Sequence, residues 1–286
     1  MNQATPAVTV STGTGTLDQD ELVVASLRSQ RERLPGLFEL LAGQAWSAPT
    51  RCSEWDVHDL ARHLCDATTA TTELLRGQLP EGSIGFDPRT TPADWLQRSA
   101  GEAPADTLAR LEKLSAELLA EIDRIRDASP DARVPFLYGS VPWSLAVLHL
   151  VWDAWVHERD VLLPAGRARA VPAVETRATA AYALLLAAEA ATFFERRRPD
   201  DGQYRFFLKG EGGGSFHLAA SGGTVTVTVD PTGAEAAGDE VLAGEVGEVV
   251  DSLVGREPDL DVALHGSTEQ IHELGLLRRY MLARPA

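Results

Sequence analysis

Lysine is nearly missing from this 286-residue chain: of its 26 basic residues only Lys113 and Lys209 are lysines, a bias of GC-rich coding rather than of protein physics. Cysteine is equally scarce, and with only Cys52 and Cys65 no disulfide framework can hold a chain of this length together. An ordinary apolar core and a reducing cytoplasmic compartment are expected instead. Positive charge is in deficit, since 42 acidic residues against 26 basic ones give a formal net charge of −16. Such a surface repels phosphate backbones and anionic membranes, so neither nucleic acid nor a membrane is expected as a partner. The chain has no run of about 18 apolar residues, the length a membrane-spanning helix needs. Its first residues carry neither a basic segment nor a continuous apolar stretch, so a secretory signal is not expected either. The 44% of hydrophobic residues fits a globular protein of one or two domains.

Residues 1–18, rich in Thr, Gly and Ser, show no helical period and are expected to form a disordered tail. From Leu22 to Leu41 leucines recur every three or four positions, the mark of an amphipathic helix, with a kink expected at Pro35-Gly36. Asp56 stands where an N-cap should, with Asp59 three residues on, ahead of a second helix whose face is Leu60, His63, Leu64 and Ala67. Residues 78–92 read as loop. A third helix spans about 104–127, a fourth about 144–163, and a long Ala/Leu helix about 172–197. The pattern then shifts to short β-branched and aromatic runs at 205–208, 215–218 and 224–229, with Gly210–Gly214 as a hairpin turn. Helices are expected over 246–254 and 268–282, and a strand over 260–264. The fold class is therefore α+β: a four-helix bundle over 19–165, a connecting helix over 166–200, and a smaller α+β module over 201–286.

The residues most able to carry chemistry lie on the fourth helix, where His149, Asp153 and His157 follow at intervals of four. That spacing places them on one face of a helix that must otherwise bury Leu148, Trp152 and Val156. An Asp-x3-His pair can aim an oxygen and a nitrogen at one cation, and His63 from the second helix is the candidate third ligand of a metal centre with open positions. The plainer readings are a surface ion pair for Asp153 and His157 and a hydrogen-bonded core residue for His63. His58, in the first turn of its helix, is expected to be solvated. Cys65, two residues after His63, faces away from it, and Cys52 is either reactive, metal-binding or a small buried side chain. His217, His265 and His272 have no site-like spacing.

The string Pro49-Thr-Arg-Cys52-Ser-Glu-Trp55-Asp-Val57-His-Asp59-Leu60-Ala-Arg-His63-Leu64 resembles the opening signature of the mycothiol-dependent maleylpyruvate isomerase family, related to DinB-like metalloenzymes. Asp153, His157 and Asp160 match the family's acidic residue and His four apart, followed by Asp. One position departs: the family's acidic ligand is Glu, and Asp153 is shorter by a methylene, so His149 is kept as an alternative ligand or supporting residue. The segments Val241–Glu245 and Asp251–Arg256 resemble the family's sterol-carrier-like C-terminal module. The resemblance spans about residues 20–282, and the GC-rich coding bias behind the scarcity of lysine points to an actinobacterial source.

What it implies is a divalent metal, typically zinc, held by His63, Asp153 and His157, with mycothiol as thiol cofactor and a small electrophile as substrate. The reaction implied is thiolate addition at a metal site, giving an isomerase if the adduct eliminates again and an S-transferase if it is released. Family isomerases also hold a substrate carboxylate through an arginine of the C-terminal module, for which Arg205, Arg256, Arg278 and Arg279 remain open. The alternatives are a noncatalytic small-molecule-binding protein and a metal-dependent hydrolase on the same bundle.

Overall fold

The computed structural model describes residues 7–12, 15–17, 19–40, 46–80, 86–136, 139–195, 201–232 and 241–283. In chain order its elements are β1 (Ala7–Thr12), β2 (Gly15–Leu17), α1 (Gln19–Leu40), α2 (Val57–Leu75), α3 (Thr91–Leu96), α4 (Pro104–Ala128), β3 (Arg133–Phe136), β4 (Gly139–Pro142) and α5 (Trp143–Leu162). They continue with α6 (Ala173–Phe194), β5 (Gly202–Lys209), β6 (Gly214–Ser221), β7 (Thr224–Asp230), β8 (Val241–Glu245), α7 (Val246–Leu253), α8 (Leu260–Ala263), α9 (Thr268–Leu274) and α10 (Leu276–Leu282). The architecture is α+β, in two compact units: Leu27–Ala170, and Met1–Ser26 together with Val171–Arg284.

The first unit is a bundle of α1 from Leu27 onward, α2, α4 and α5. Its helices start where local chemistry dictates. At α2 the Asp56 carboxylate accepts from the Asp59 amide at 2.8 Å and the Asp59 carboxylate accepts from the Asp56 amide at 3.2 Å, a reciprocal capping box. Leu34, Leu37 and Phe38 of α1 pack with Leu60 and Leu64 of α2, Leu111 of α4 and Val161 of α5. Burying each of these larger side chains contributes about 1.5–3 kcal/mol, which fixes how the helices face one another. Helix α1 runs through Pro35 without interruption. Part of the expected loop at 78–92 lies outside the described residues, and Thr91 already opens α3. The hairpin β3–β4 between α4 and α5 seats Trp143 so that its indole N–H donates to the Pro130 carbonyl at 2.9 Å.

The second unit holds a six-stranded sheet in the order β2-β1-β7-β6-β5-β8. The N-terminal segment expected to be disordered supplies two of these strands: β1 pairs in parallel with β7, Ala7 to Val10 opposite Thr226 to Val229, and β2 folds back antiparallel on β1. Alternation in Ala7–Thr12 is too short to stand out in a Thr/Gly/Ser-rich stretch, and it is the edge of β7 that makes it a strand. Helix α6, expected as a connector, packs against α7 and β7 and belongs to this unit. The β5–β6 turn needs glycine, because a Cβ on Gly213 would lie 2.1 Å from the Leu208 carbonyl oxygen. Residues 260–264, expected as a strand, form the short helix α8 instead, closed by the Ala263 and Leu264 amides donating to the Asp259 and Leu260 carbonyls at 2.9 Å. Only beyond it does the backbone extend, where His265 bridges Ala243.

Candidate metal centre

The bundle brings His63, Asp153 and His157 together. Helix α2 places His63 on its buried face, and one turn of α5 separates Asp153 from His157. Nε2 of His63 lies 3.3 Å from Oδ2 of Asp153, and Nε2 of His157 lies 3.5 Å from Oδ1 of the same carboxylate. One donor atom from each residue falls within 4.8 Å of the others. The side chains are 8%, 14% and 10% exposed, so the cluster is largely dry. Trp55 covers it, its ring centroid 5.0 Å from that of His63 and 6.1 Å from that of His157.

Charge is arranged to suit a cation. Burial works against an ionised Asp153, but the His63 and His157 charges outweigh it and hold the carboxyl well below the usual range. Burial likewise works against a charged His157, and the Asp153 carboxylate together with the hydrogen bonds that the ring makes to Asp153, Asp160 and Cys52 raises the imidazole well above its ordinary value. Without a cation the carboxylate is paired with the protonated His157 imidazole. A metal ion at the same place would take over that pairing.

The neighbours of His157 decide which of its nitrogens faces the centre. Nδ1 lies 3.0 Å from Oδ2 of the fully buried Asp160, and an ionised carboxylate can only accept, so Nδ1 keeps its proton and Nε2 is the nitrogen that faces the centre and would give up its proton to an ion. Asp160 is anchored in turn by Arg51, whose Nε donates to Oδ1 at 2.9 Å and whose amide donates to the Asp160 carbonyl at 3.1 Å. The Cys52 thiol donates to Oδ2 of Asp160 at 3.2 Å and lies 3.9 Å from Nδ1 of His157. The run from Pro49 to His63 is thus a strap that ends on α5, and the roles of Arg51 and Cys52 in holding Asp160 were not legible from spacing. Their place ahead of Trp55 in the recognised run was the available signal.

Other expected positions fall elsewhere. His149 lies away from the three converging donors, its ring 5.2 Å from Phe136 and 5.1 Å from Trp152, and burial pushes it down to about 4. His58, expected in solvent, is half-buried with Nε2 2.9 Å from the Thr107 hydroxyl, because α4 packs along α2 at that turn. Cys65 does face away, its thiol donating to the Thr107 carbonyl at 3.6 Å. In the second unit Arg278 donates to the Ser252 and Arg256 carbonyls and pairs with Asp259, while Arg279 donates to the His272 carbonyl at 2.7 Å. Arg205 is exposed on β5, and Arg256 reaches the Val254 carbonyl near the end of α7.

Residues 27–162 match the family model described as the mycothiol maleylpyruvate isomerase N-terminal domain. Two solved structures are similar over most of their length: a crystal structure of the mycothiol-dependent maleylpyruvate isomerase, at TM-score 0.56 and 17% identity, and one of a mutant of it, at TM-score 0.56 and 16% identity. Each comparison covers 88% of this chain and 94% of the other. No curated protein matches. Residues 27–162 of the bundle thus match the N-terminal domain of the mycothiol maleylpyruvate isomerase family, and the chain has the fold of the similar isomerase structures.

Proposed function

We propose that His63, Asp153 and His157 hold one divalent ion, zinc by the chemistry of its donors, and that the chain is a mycothiol-dependent enzyme, an isomerase or thiol S-transferase, acting on a small electrophile. The observation that carries the reading is the convergence of two imidazole nitrogens on one carboxylate. Around a tetrahedral ion with bonds of about 2.0–2.2 Å, neighbouring donors sit about 3.3–3.5 Å apart. Oδ1 of Asp153 lies 3.5 Å from Nε2 of His63 and 3.5 Å from Nε2 of His157, which meets that requirement for a single oxygen donor, and the shorter Asp153 reaches both imidazoles. Nδ1 of His63 is buried without a hydrogen-bond partner among the described residues, so that ring takes its orientation from the Nε2 side.

Three protein ligands leave a position open, and an ion held there supplies the Lewis acidity that keeps a thiol in its thiolate form near neutral pH. Asp153 offsets part of the ion's charge. Asp160 fixes the tautomer and orientation of His157 and is held by Arg51. Trp55 keeps water off the imidazole faces, which strengthens every electrostatic interaction within. The similar structures are of a mycothiol-dependent isomerase, and we extend that cofactor to this chain on the match of its bundle.

The test is elemental analysis of the purified protein followed by Co²⁺ substitution and titration with mycothiol. A thiolate-to-cobalt charge-transfer band in the near ultraviolet is expected in a Cys52→Ser, Cys65→Ser background and absent in His63→Ala. Metal without that band and without binding heat favours the hydrolase, and no metal at all favours a plain binding protein.

A further inference from the structure

A second set of donors converges on the other nitrogen of His157. Sγ of Cys52, Nδ1 of His157 and Oδ2 of Asp160 all lie within 4.8 Å of one another. The sulfur is 3.2 Å from Oδ2 and 3.9 Å from Nδ1, and Nδ1 is 3.0 Å from Oδ2. The turn that carries Cys52 holds it there: its amide donates to the Thr50 hydroxyl oxygen at 3.0 Å, its carbonyl accepts from the Trp55 amide at 2.9 Å, and Pro49 bridges Asp56. Arg51 donates to Oδ1 of Asp160, which leaves Oδ2 turned toward the thiol and the imidazole.

The arrangement does not suit a thiol nucleophile. A histidine that activates a thiol takes its proton on one ring nitrogen and is steadied by a carboxylate or amide on the other, whereas here thiol and carboxylate face the same nitrogen. Three unlike donors that meet at one point have the geometry of ligation. Around a tetrahedral ion, with bonds of about 2.3 Å to sulfur and about 2.0–2.2 Å to nitrogen and oxygen, the sulfur stands about 3.5 Å from the other two donors, which are about 3.3–3.5 Å from each other. The triangle of 3.9, 3.2 and 3.0 Å reaches that geometry by shifts of about 0.3–0.4 Å. Asp160 is fully buried and Cys52 only half-buried, so the sulfur side is where an ion enters and where its fourth position opens.

We propose that Cys52, Nδ1 of His157 and Asp160 form a second metal site, for a thiophilic divalent cation such as zinc or cadmium, on the opposite side of the imidazole from the first. A thiolate, an imidazole and a carboxylate select such ions over Mg²⁺ and Ca²⁺, which take oxygen donors. The ion enters as the thiol proton and the Nδ1 proton leave to solvent, so two positive charges replace two and Arg51 still balances Asp160. The metal–sulfur bond ties the strap to α5, and with the strap Trp55, which covers the first centre. Ligation here uses neither His63 nor Asp153, so it does not rest on the first centre.

The experiment titrates Cd²⁺ into the full chain without added thiol and follows the thiolate-to-cadmium charge-transfer band in the ultraviolet, with Mg²⁺ as competitor. The band is expected to saturate at one ion per chain, to persist in Cys65→Ser and in His63→Ala, and to vanish in Cys52→Ser. His157→Ala and Asp160→Asn should each weaken the ion that gives the band by at least about 10-fold. No band in wild type overturns the proposal and leaves the three residues as a hydrogen-bonded clasp. A band that survives in Cys52→Ser assigns it to Cys65, and an affinity untouched by both His157→Ala and Asp160→Asn assigns it to a lone thiol; either result overturns the site. Mg²⁺ that displaces the cadmium overturns the class of ion. Should those two variants not fold, wild type loaded with cadmium-113 must show direct coupling of the metal to Nδ1 of His157, and its absence refutes the site. His63→Ala separates this site from the first: loss of the first ion with the band kept supports both, the band kept with no other ion lost sinks the first centre alone, and loss of the band there sinks the second.

Discussion

Nδ1 of His157 and Oδ2 of Asp160 lie 3.0 Å apart, across a single turn of α5, and this pair sets the inward nitrogen of the histidine before any ligand arrives. Asp160→Asn keeps the size of the side chain and removes the charge. Metal affinity, measured by competition with a chromophoric chelator, is expected to fall about 10- to 100-fold. Affinity equal to that of wild type would mean that Asp160 serves only to hold Arg51.

His63→Ala and His157→Ala should each lose most of the bound metal by elemental analysis. Asp153→Ala should lower metal affinity more than His149→Ala, because the Asp153 oxygens stand 3.3 and 3.5 Å from the two imidazoles whereas His149 packs against Phe136 and Trp152. The opposite ranking would move the ligand one turn along α5. Chelator should also lower the melting temperature of wild type, by the free energy with which the ion binds the folded state alone.

Burial pushes the His149 imidazole down to about 4, below the unfolded value of about 6.5. The unfolded chain therefore binds more protons between these two pKa values, so stability contributed by the neutral ring is present above about pH 6.5 and lost as pH falls toward 4. In chelator-treated protein His149→Phe should gain on wild type over that window, by up to about 3 kcal/mol at its acid end. Urea denaturation at several pH values reads the difference. A gap that does not change with pH refutes the assignment.

Cys65 is fully buried and burial pushes its thiol up to about 12, so little thiolate forms at neutral pH. Iodoacetamide at pH 8 should label Cys65 only in denaturant, as peptide mass spectrometry would report. Native labelling at the rate of a free thiol would show that the packing between α2 and α4 is wrong.

Deletion of residues 1–17 strips β1 and β2 from the sheet and turns β7 into an edge strand. The truncated protein should melt at a lower temperature and expose the β7 segment to protease. An unchanged melting temperature would return this segment to the status of a tail.

What the sequence determined by itself is whatever repeats over three or four residues. The capping box of Asp56 and Asp59, the apolar stripe of α4 and the shared face of Asp153 and His157 are consequences of local helix geometry, and the run from Pro49 to Leu64 marked His63 as their partner. The strand expected at 260–264 failed because Leu260, Val262 and Leu264 fit alternation as well as a helical turn, and five residues are too few to separate the two periods. Tertiary structure decided the pairings that span long stretches of chain: β1 beside β7, His58 against Thr107, Cys52 and Arg51 on Asp160, and the isolation of Arg31. Each depends on which helix or strand edge meets which, and packing of buried side chains such as Leu34, Leu60 and Leu111 settles that. No local period encodes whether a distant carboxylate will face a given arginine, so the difference between Arg33, paired with Glu158, and Arg31, two residues earlier and unpaired among the described residues, belongs to the folded bundle alone.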